Sequence, residues 1–179
     1  LKQISTGKKE NKFGVDEKIF FDLVNYSKLS KNINLKCLSV HIGSQILDYK
    51  PYEKMLEVVN RIIKKSNHKF EFIDLGGGMG ISYEKNNKKL NYQKYNVAIK
   101  RFLKDHKSKI IFEPGRSIVG NIGSLVSKVI YIKKNDKKDF IILDAAMNDL
   151  MRPALYGANH RTLPVIKTNQ TSEKVYEFV

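Results

Sequence analysis

Apolar residues recur along this chain at two spacings, and the alternation between them predicts its architecture. Beyond Asp16, whose side chain suits a helix N-cap, Ile19, Phe20, Leu23 and Val24 fall on one stripe at helical spacing. A second stripe, Tyr52, Met55, Leu56, Val59, Ile62 and Ile63, follows Pro51, which a helix tolerates in its first turn because an N–H there has no partner to lose. The third uses Tyr92, Tyr95, Ile99, Phe102 and Leu103. Between the stripes lie apolar runs too brief for helices: Cys37 to Ile42, Phe70 to Leu75 and Lys109 to Phe112. Each leads into Gly or Pro-Gly, so strand, turn and helix alternate with a repeat of roughly 35 residues, the size of a βαβ unit. The pattern predicts an α/β chain with parallel strands.

Past Gly123 the texture changes. Ser124 to Ile132, Phe140 to Leu143 and Lys174 to Val179 read as strands, the first two joined by the lysine-rich turn from Lys133 to Asp139, and no amphipathic helix follows. This places a boundary near Gly120 to Gly123, dividing residues 1–122 from a β-rich stretch at 123–179.

Composition narrows the class. Hydrophobic content of 41%, with nine Phe and nine Tyr, suffices for a packed core, and no apolar run approaches the ~20 residues of a membrane helix. The formal charge of +15 invites a nucleic-acid reading, but the basic residues do not form a stripe. Only Arg61, Arg101, Arg116, Arg152 and Arg161 carry the planar fork suited to base edges, and the lysines lie scattered in pairs at expected helix ends and turns. No nucleic-acid partner and no membrane association are therefore expected. Cys37, the single cysteine, has no internal disulfide partner and no metal-ligand spacing around it, and neither HExxH nor a Cys/His cluster is present, so no metal is expected. A reduced, cytoplasmic setting fits that cysteine usage.

The chemistry-bearing residues stand at the carboxyl ends of the three expected parallel strands, where a barrel concentrates its functional groups. The first strand delivers His41-Ile42-Gly43-Ser44-Gln45, the second Asp74-Leu75-Gly76-Gly77-Gly78-Met79-Gly80, the third Glu113-Pro114-Gly115-Arg116-Ser117. Glycines at 76, 77 and 78 would let backbone N–H groups approach a phosphate without a Cβ in the way; alone they equally suit a tight strand-to-helix turn. The spacing is not that of a nucleotide P-loop. Glu113 could lie against a pyridine-type nitrogen and keep it protonated, and Arg116 could grip a phosphate or carboxylate with its fork. His41 could stack on a planar ring, with Ser44 bonding a phosphate. Arg152 and Tyr156, in the run Asp144 to Gly157, could hold an anionic substrate.

These motifs together resemble the alanine-racemase-like, fold type III pyridoxal-phosphate decarboxylases. The resemblance runs over GKKENKFGVD at Gly7 to Asp16, HIGSQI at His41 to Ile46, DLGGGMGI at Asp74 to Ile81, EPGRSIVGNIG at Glu113 to Gly123 and DAAMNDLMRPALYGANH at Asp144 to His160. HIGSQ-like, GGG and EPGR elements are shared with ornithine and arginine decarboxylases, whereas the last motif points to the diaminopimelate branch. The resemblance implies the carboxyl-terminal part of a pyridoxal-phosphate-binding (β/α)8 TIM barrel at residues 1–122, then the beginning of a β-sandwich-like domain. It implies decarboxylation of meso-2,6-diaminopimelate to L-lysine and carbon dioxide, with pyridoxal 5′-phosphate as cofactor. His41, Ser44, Gly76, Gly77, Gly78, Glu113, Pro114, Gly115 and Arg116 would contact the cofactor. His41 and Glu113 would serve catalysis, while Arg116, Arg152 and Tyr156 would bind substrate. It further implies a homodimer with shared active sites, the covalent lysine anchor ahead of Leu1 and a partner-donated Cys-Glu-Ser motif beyond Val179, so that this chain alone would be inactive. An ornithine or arginine decarboxylase, or a catalytically silent barrel relative, is the alternative.

Overall fold

The computed structural model describes residues 13–83, 88–166 and 174–179; Gly7 to Lys12 of the first quoted motif lie outside them. The chain divides into two compact units, the first ending at Ile122 and the second holding Tyr83 together with Gly123–Val179.

In the first unit Asp16 accepts the Ile19 N–H at 2.9 Å and starts α1 (Glu17–Leu29). β1 (Cys37–Ser39) follows, then α2 (Lys50–Ser66), which carries Pro51 in its first turn and stops where Asn67 turns left-handed at φ 46°. β2 (Phe72–Asp74), α3 (Tyr92–Leu103), β3 (Lys109–Ile111) and the one-turn α4 (Gly115–Val119) complete it. The Asn91 side chain caps α3 by accepting the Lys94 N–H at 2.9 Å.

The three strands pair parallel in the order β1-β2-β3, with Leu38 opposite Ile73 and Ile73 opposite Ile110. That is the expected α/β repeat. Parallel strands need crossovers, and α2 and α3 provide them. The core lies where these helices cover the sheet: Tyr52, Leu56, Val59 and Ile63 from α2 and Tyr95, Ala98 and Phe102 from α3 are buried with Leu38 and Ile73. On α1, Val24 is buried and Phe20 packs against the core, whereas Ile19 and Leu23 stay 46% and 51% exposed, so half of that stripe faces outward. Glu17 instead ties α1 to α2 electrostatically. The two Arg61 N–H contacts at 2.9 Å, and then Lys65 at 3.1 Å, pull its carboxyl down to about 2. Each strand is only three residues long because the apolar runs continue into the turns that follow.

The second unit is a three-stranded sheet. β4 (Val129–Lys133) runs antiparallel to β5 (Asp139–Leu143) with an irregularity between Val129 and Tyr131, and β6 (Tyr176–Phe178) lies parallel to β5 on its other side. Residues 124–128, expected as strand, precede the ladder. A one-turn helix, α5 (Arg152–Tyr156), ends at Gly157 with φ 58°; the sequence pattern gives no sign of it because a single turn has no apolar period. Asp139 is buried to 6% exposure, where its carboxylate pairs with Lys174 and accepts the Asn135 N–H at 3.2 Å. Lys174 is the main cause of its lowered pKa.

Candidate functional site

Beyond β1, β2 and β3 the three strand ends stay joined by backbone bonds. Val40 donates to the Asp74 carbonyl at 2.9 Å, Leu75 to Ile111 at 3.0 Å and Glu113 to Gly76 at 2.8 Å. Farther along, Ile46 donates to Gly78 at 2.9 Å and Gly80 returns a bond to Ile46 at 3.0 Å, so residues 46 and 79 form a parallel bridge. The turns between these bonds enclose a cavity of about 260 Å³ lined by His41, Ser44, Gln45, Gly78, Met79, Glu113, Gly115 and Arg116. Six of those eight are residues the sequence singles out.

The three glycines lie against neighbouring backbone. A Cβ on Gly76 would lie 2.6 Å from the Val40 carbonyl oxygen, on Gly77 2.0 Å from that of Glu113, and on Gly78 2.1 Å from that of Gly43. Gly76 and Gly78 also hold φ of 65° and 84°. What approaches them is neighbouring backbone, as close packing of strand ends demands. The Gly76 N–H donates to Asp74 Oδ1 at 2.8 Å and the Gly77 N–H to His41 Nδ1 at 3.3 Å, so both amides are spent inside the fold. Their carbonyls are engaged as well, Gly76 by the Glu113 N–H and Gly77 by the buried Tyr52 hydroxyl at 3.1 Å. Only Gly78 of the three lines the cavity.

This arrangement fixes the side chains around it. The Gly77 bond makes His41 Nδ1 an acceptor, so a neutral His41 ring carries its proton on Nε2. Glu113 is exposed toward the cavity while its backbone is held at both ends, the N–H by Gly76 and the carbonyl by the Gly115 N–H at 3.0 Å. Pro114 occupies the N-cap position of α4 and sets the direction in which Gly115 and Arg116 leave β3. Arg116 Nη1 donates to Gln45 Oε1 at 2.8 Å. Asp74 accepts from Gly76 and also from the Ser39 hydroxyl at 3.3 Å. Asp74, Tyr52 and Gln45 are the residues that sequence reasoning left without a role at the site. The first and last stand inside quoted motifs, but their bonding partners are set by the sheet.

Arg152 and Tyr156 belong to the second unit. The Arg152 guanidinium sits 5.8 Å from the Tyr156 ring and 5.8 Å from that of Tyr83, and His160 meets Tyr83 edge-on at 5.3 Å. Arg152 Nε is buried with no hydrogen-bond partner among the described residues. The acidic residues of this motif shape its loop: Asp144 accepts the Lys128 N–H at 2.7 Å, which chiefly lowers its pKa, and the Ser127 hydroxyl at 2.8 Å, while Asp149 accepts the Ala146 N–H at 3.0 Å.

A second cavity, about 300 Å³, lies on the helical side between Tyr49, Glu53, Lys94 and Arg101 and gathers none of the strand-end residues. Among the described residues no group of His, Cys, Asp and Glu is placed to hold a metal ion, and no helix is long and apolar enough to cross a membrane.

The strand-end cavity fits a planar, anionic cofactor by its donor set: an imidazole and a hydroxyl on one wall, a carboxylate and a guanidinium on another. Comparison with known proteins agrees. The family described as pyridoxal-dependent decarboxylase, pyridoxal binding domain, matches residues 1–120. The chain is 39% identical to diaminopimelate decarboxylase of Aquifex aeolicus, across 98% of this chain and 42% of that protein, and 43% identical to that of Zymomonas mobilis, across 94% and 41%. The crystal structure of diaminopimelate decarboxylase from Helicobacter pylori complexed with L-lysine superposes with a TM-score of 0.85 at 39% identity, covering 93% of this chain and 42% of that one. The chain thus spans about two fifths of the length of the relatives it matches.

Proposed function

The chain belongs to the pyridoxal-dependent decarboxylases, and from that premise we propose that the whole protein converts meso-2,6-diaminopimelate to L-lysine and carbon dioxide. The observation that carries the reading is the shared cavity in which His41, Ser44, Gly78, Glu113, Gly115 and Arg116 meet. The cofactor is pyridoxal 5′-phosphate, whose pyridinium ring, when bound, takes up the electron pair that departing carbon dioxide leaves behind.

The protein's own residues set the conditions for that transfer. Glu113 keeps the ring nitrogen protonated, which makes the ring a stronger acceptor of electrons. His41, its Nδ1 pinned by Gly77, presents a fixed imidazole plane on which the ring can lie. Ser44 and the Gly78 and Gly115 backbone serve the phosphate, and Pro114 holds the turn that brings Gly115 and Arg116 to the cavity. Gly76 and Gly77 act from beneath, through the strand-end packing that shapes the floor. Arg116 grips an anionic group with its fork, and Arg152 and Tyr156 take the carboxylate that the substrate retains. A distal carboxylate distinguishes diaminopimelate from ornithine and arginine, and the buried Arg152 Nε, without a hydrogen-bond partner among the described residues, supports a binder of such a group. We place the protein in the cytoplasm, as a homodimer.

The test is an assay of the full-length protein with meso-diaminopimelate, ornithine and arginine. Turnover of the first is expected, and preference for either of the others would overturn the substrate assignment. In the same protein, Arg152→Ala is expected to raise KM at a cost of about 2–3 kcal/mol for a charge-assisted contact. Glu113→Gln acts after binding and is expected to lower kcat.

A further inference from the structure

Building on the reading of Arg116 given above, we infer that Gln45 is a positioning residue that aims the Arg116 fork. The Gln45 amide makes three bonds at once. Its Nε2 donates to the Ile81 carbonyl at 2.5 Å, its Oε1 accepts the Ile81 N–H at 3.3 Å, and the same Oε1 accepts from Arg116 Nη1 at 2.8 Å. The two bonds to Ile81 settle which way the amide faces, because only nitrogen can meet a carbonyl and only oxygen an N–H. The oxygen is therefore locked where Arg116 meets it. A Gln45 that faced the other way would offer N–H groups to a cation that has no acceptor.

The backbone is bent to deliver that amide. Gln45 holds φ of 62°, in the left-handed region that side-chain-bearing residues seldom occupy, directly before the bridge between Ile46 and Met79. Arg116 gains from a contact of this kind. It stands on a helix of five residues whose N-cap, Pro114, makes no side-chain capping bond, and a side chain of that length has many rotamers to lose. Because the guanidinium is planar and rigid, fixing one Nη orients the whole fork. An anion then meets a group already in place, and the cost of ordering it is removed from binding. The anion is a carboxylate or a phosphate, which the fork grips in the same manner.

The experiment is a double-mutant cycle in the full-length protein, read in two arms: KM against kcat for meso-diaminopimelate, and the dissociation constant of pyridoxal 5′-phosphate by equilibrium dialysis. Gln45→Met keeps the length of the side chain and loses its bonds, and is expected to raise one of these constants about tenfold, as befits a bond to a charged group. A rise in KM larger than the fall in kcat identifies the carboxylate; a rise in the dissociation constant identifies the phosphate. In an Arg116→Ala background the Gln45→Met change is expected to add nothing. Should Gln45→Met fail to fold, Gln45→Gly, suited to the left-handed backbone, takes its place in the same cycle. Unchanged constants or additive effects would each overturn the inference while leaving the role of Arg116 standing. An Arg116→Ala protein with both constants unchanged would remove the underlying reading itself.

Discussion

A single methyl group at position 77 would fall 2.0 Å from the Glu113 carbonyl oxygen, nearer than any real contact allows. Both partners are backbone, so no rotamer change relieves the clash. Gly77→Ala is therefore expected to destabilise the protein by on the order of 3 kcal/mol, read as a lower urea midpoint. Gly115 makes the contrast: a Cβ there meets nothing within 4 Å, and Gly115→Ala is expected to leave the stability within about 1 kcal/mol of the parent while narrowing the cavity it lines. Three consecutive glycines announce a tight place in the chain, and that much was legible. What the sequence conceals is the identity of the atoms that crowd them, since the Val40, Gly43 and Glu113 carbonyls reach the glycines only through the register of the sheet. Gln45 was hidden in the same way. Its neighbours His41 and Ser44 carry chemistry in their own side chains, whereas its importance comes from partners at Ile81 and Arg116.

Among the elements, the helices were the most legible, because a stripe at 3.6-residue spacing and a capping side chain are local signals. Asp16, Asn91 and Pro51 mark their starts in the structure. The strands came out shorter than the apolar runs suggest, since those runs also supply residues such as Leu75 that are buried beneath the turns. The packing of α2 on α3 has a chemical consequence at high pH. Tyr52 and Tyr95 stack with ring centroids 4.5 Å apart, and burial raises the Tyr95 hydroxyl to about 12 and Tyr52 further still. The Tyr95 oxygen is buried without a hydrogen-bond partner among the described residues. A group whose pKa is raised by folding contributes stability below its unfolded value and loses it as pH rises. Between pH 10 and 12 the unfolded chain should release these protons first, so stability is expected to fall across that window. Urea titrations at successive pH values would check it, and Tyr95→Phe is expected to flatten the decline.

Across the whole molecule, burial is unevenly divided. Every buried hydrophobic residue among those described lies in the first unit, while the second keeps one buried charge, Asp139, paired with Lys174. With its carboxyl pKa lowered on folding, Asp139 stabilises the second unit above the ordinary aspartate value and loses that contribution as acid protonates it. Amide exchange in β5 is therefore expected to accelerate as pH is lowered through about 4, after correction for the intrinsic rate, and Asp139→Asn is expected to remove most of that pH dependence. In the first unit, β1, β2 and β3 pair only across long stretches of chain. Ser39 meets Asp74 at a separation of 35 residues, and Asp74 meets Ile111 across a gap of similar length. Each pairing must bear the entropy of loop closure before any ladder bond rewards it, whereas the helices form from neighbours in the chain. A cavity made wholly of strand-end turns is thus assembled late, and a refolding chain is expected to recover its helical circular dichroism before it can take up pyridoxal 5′-phosphate, with an interval between the two in which it is helical and blind to its cofactor.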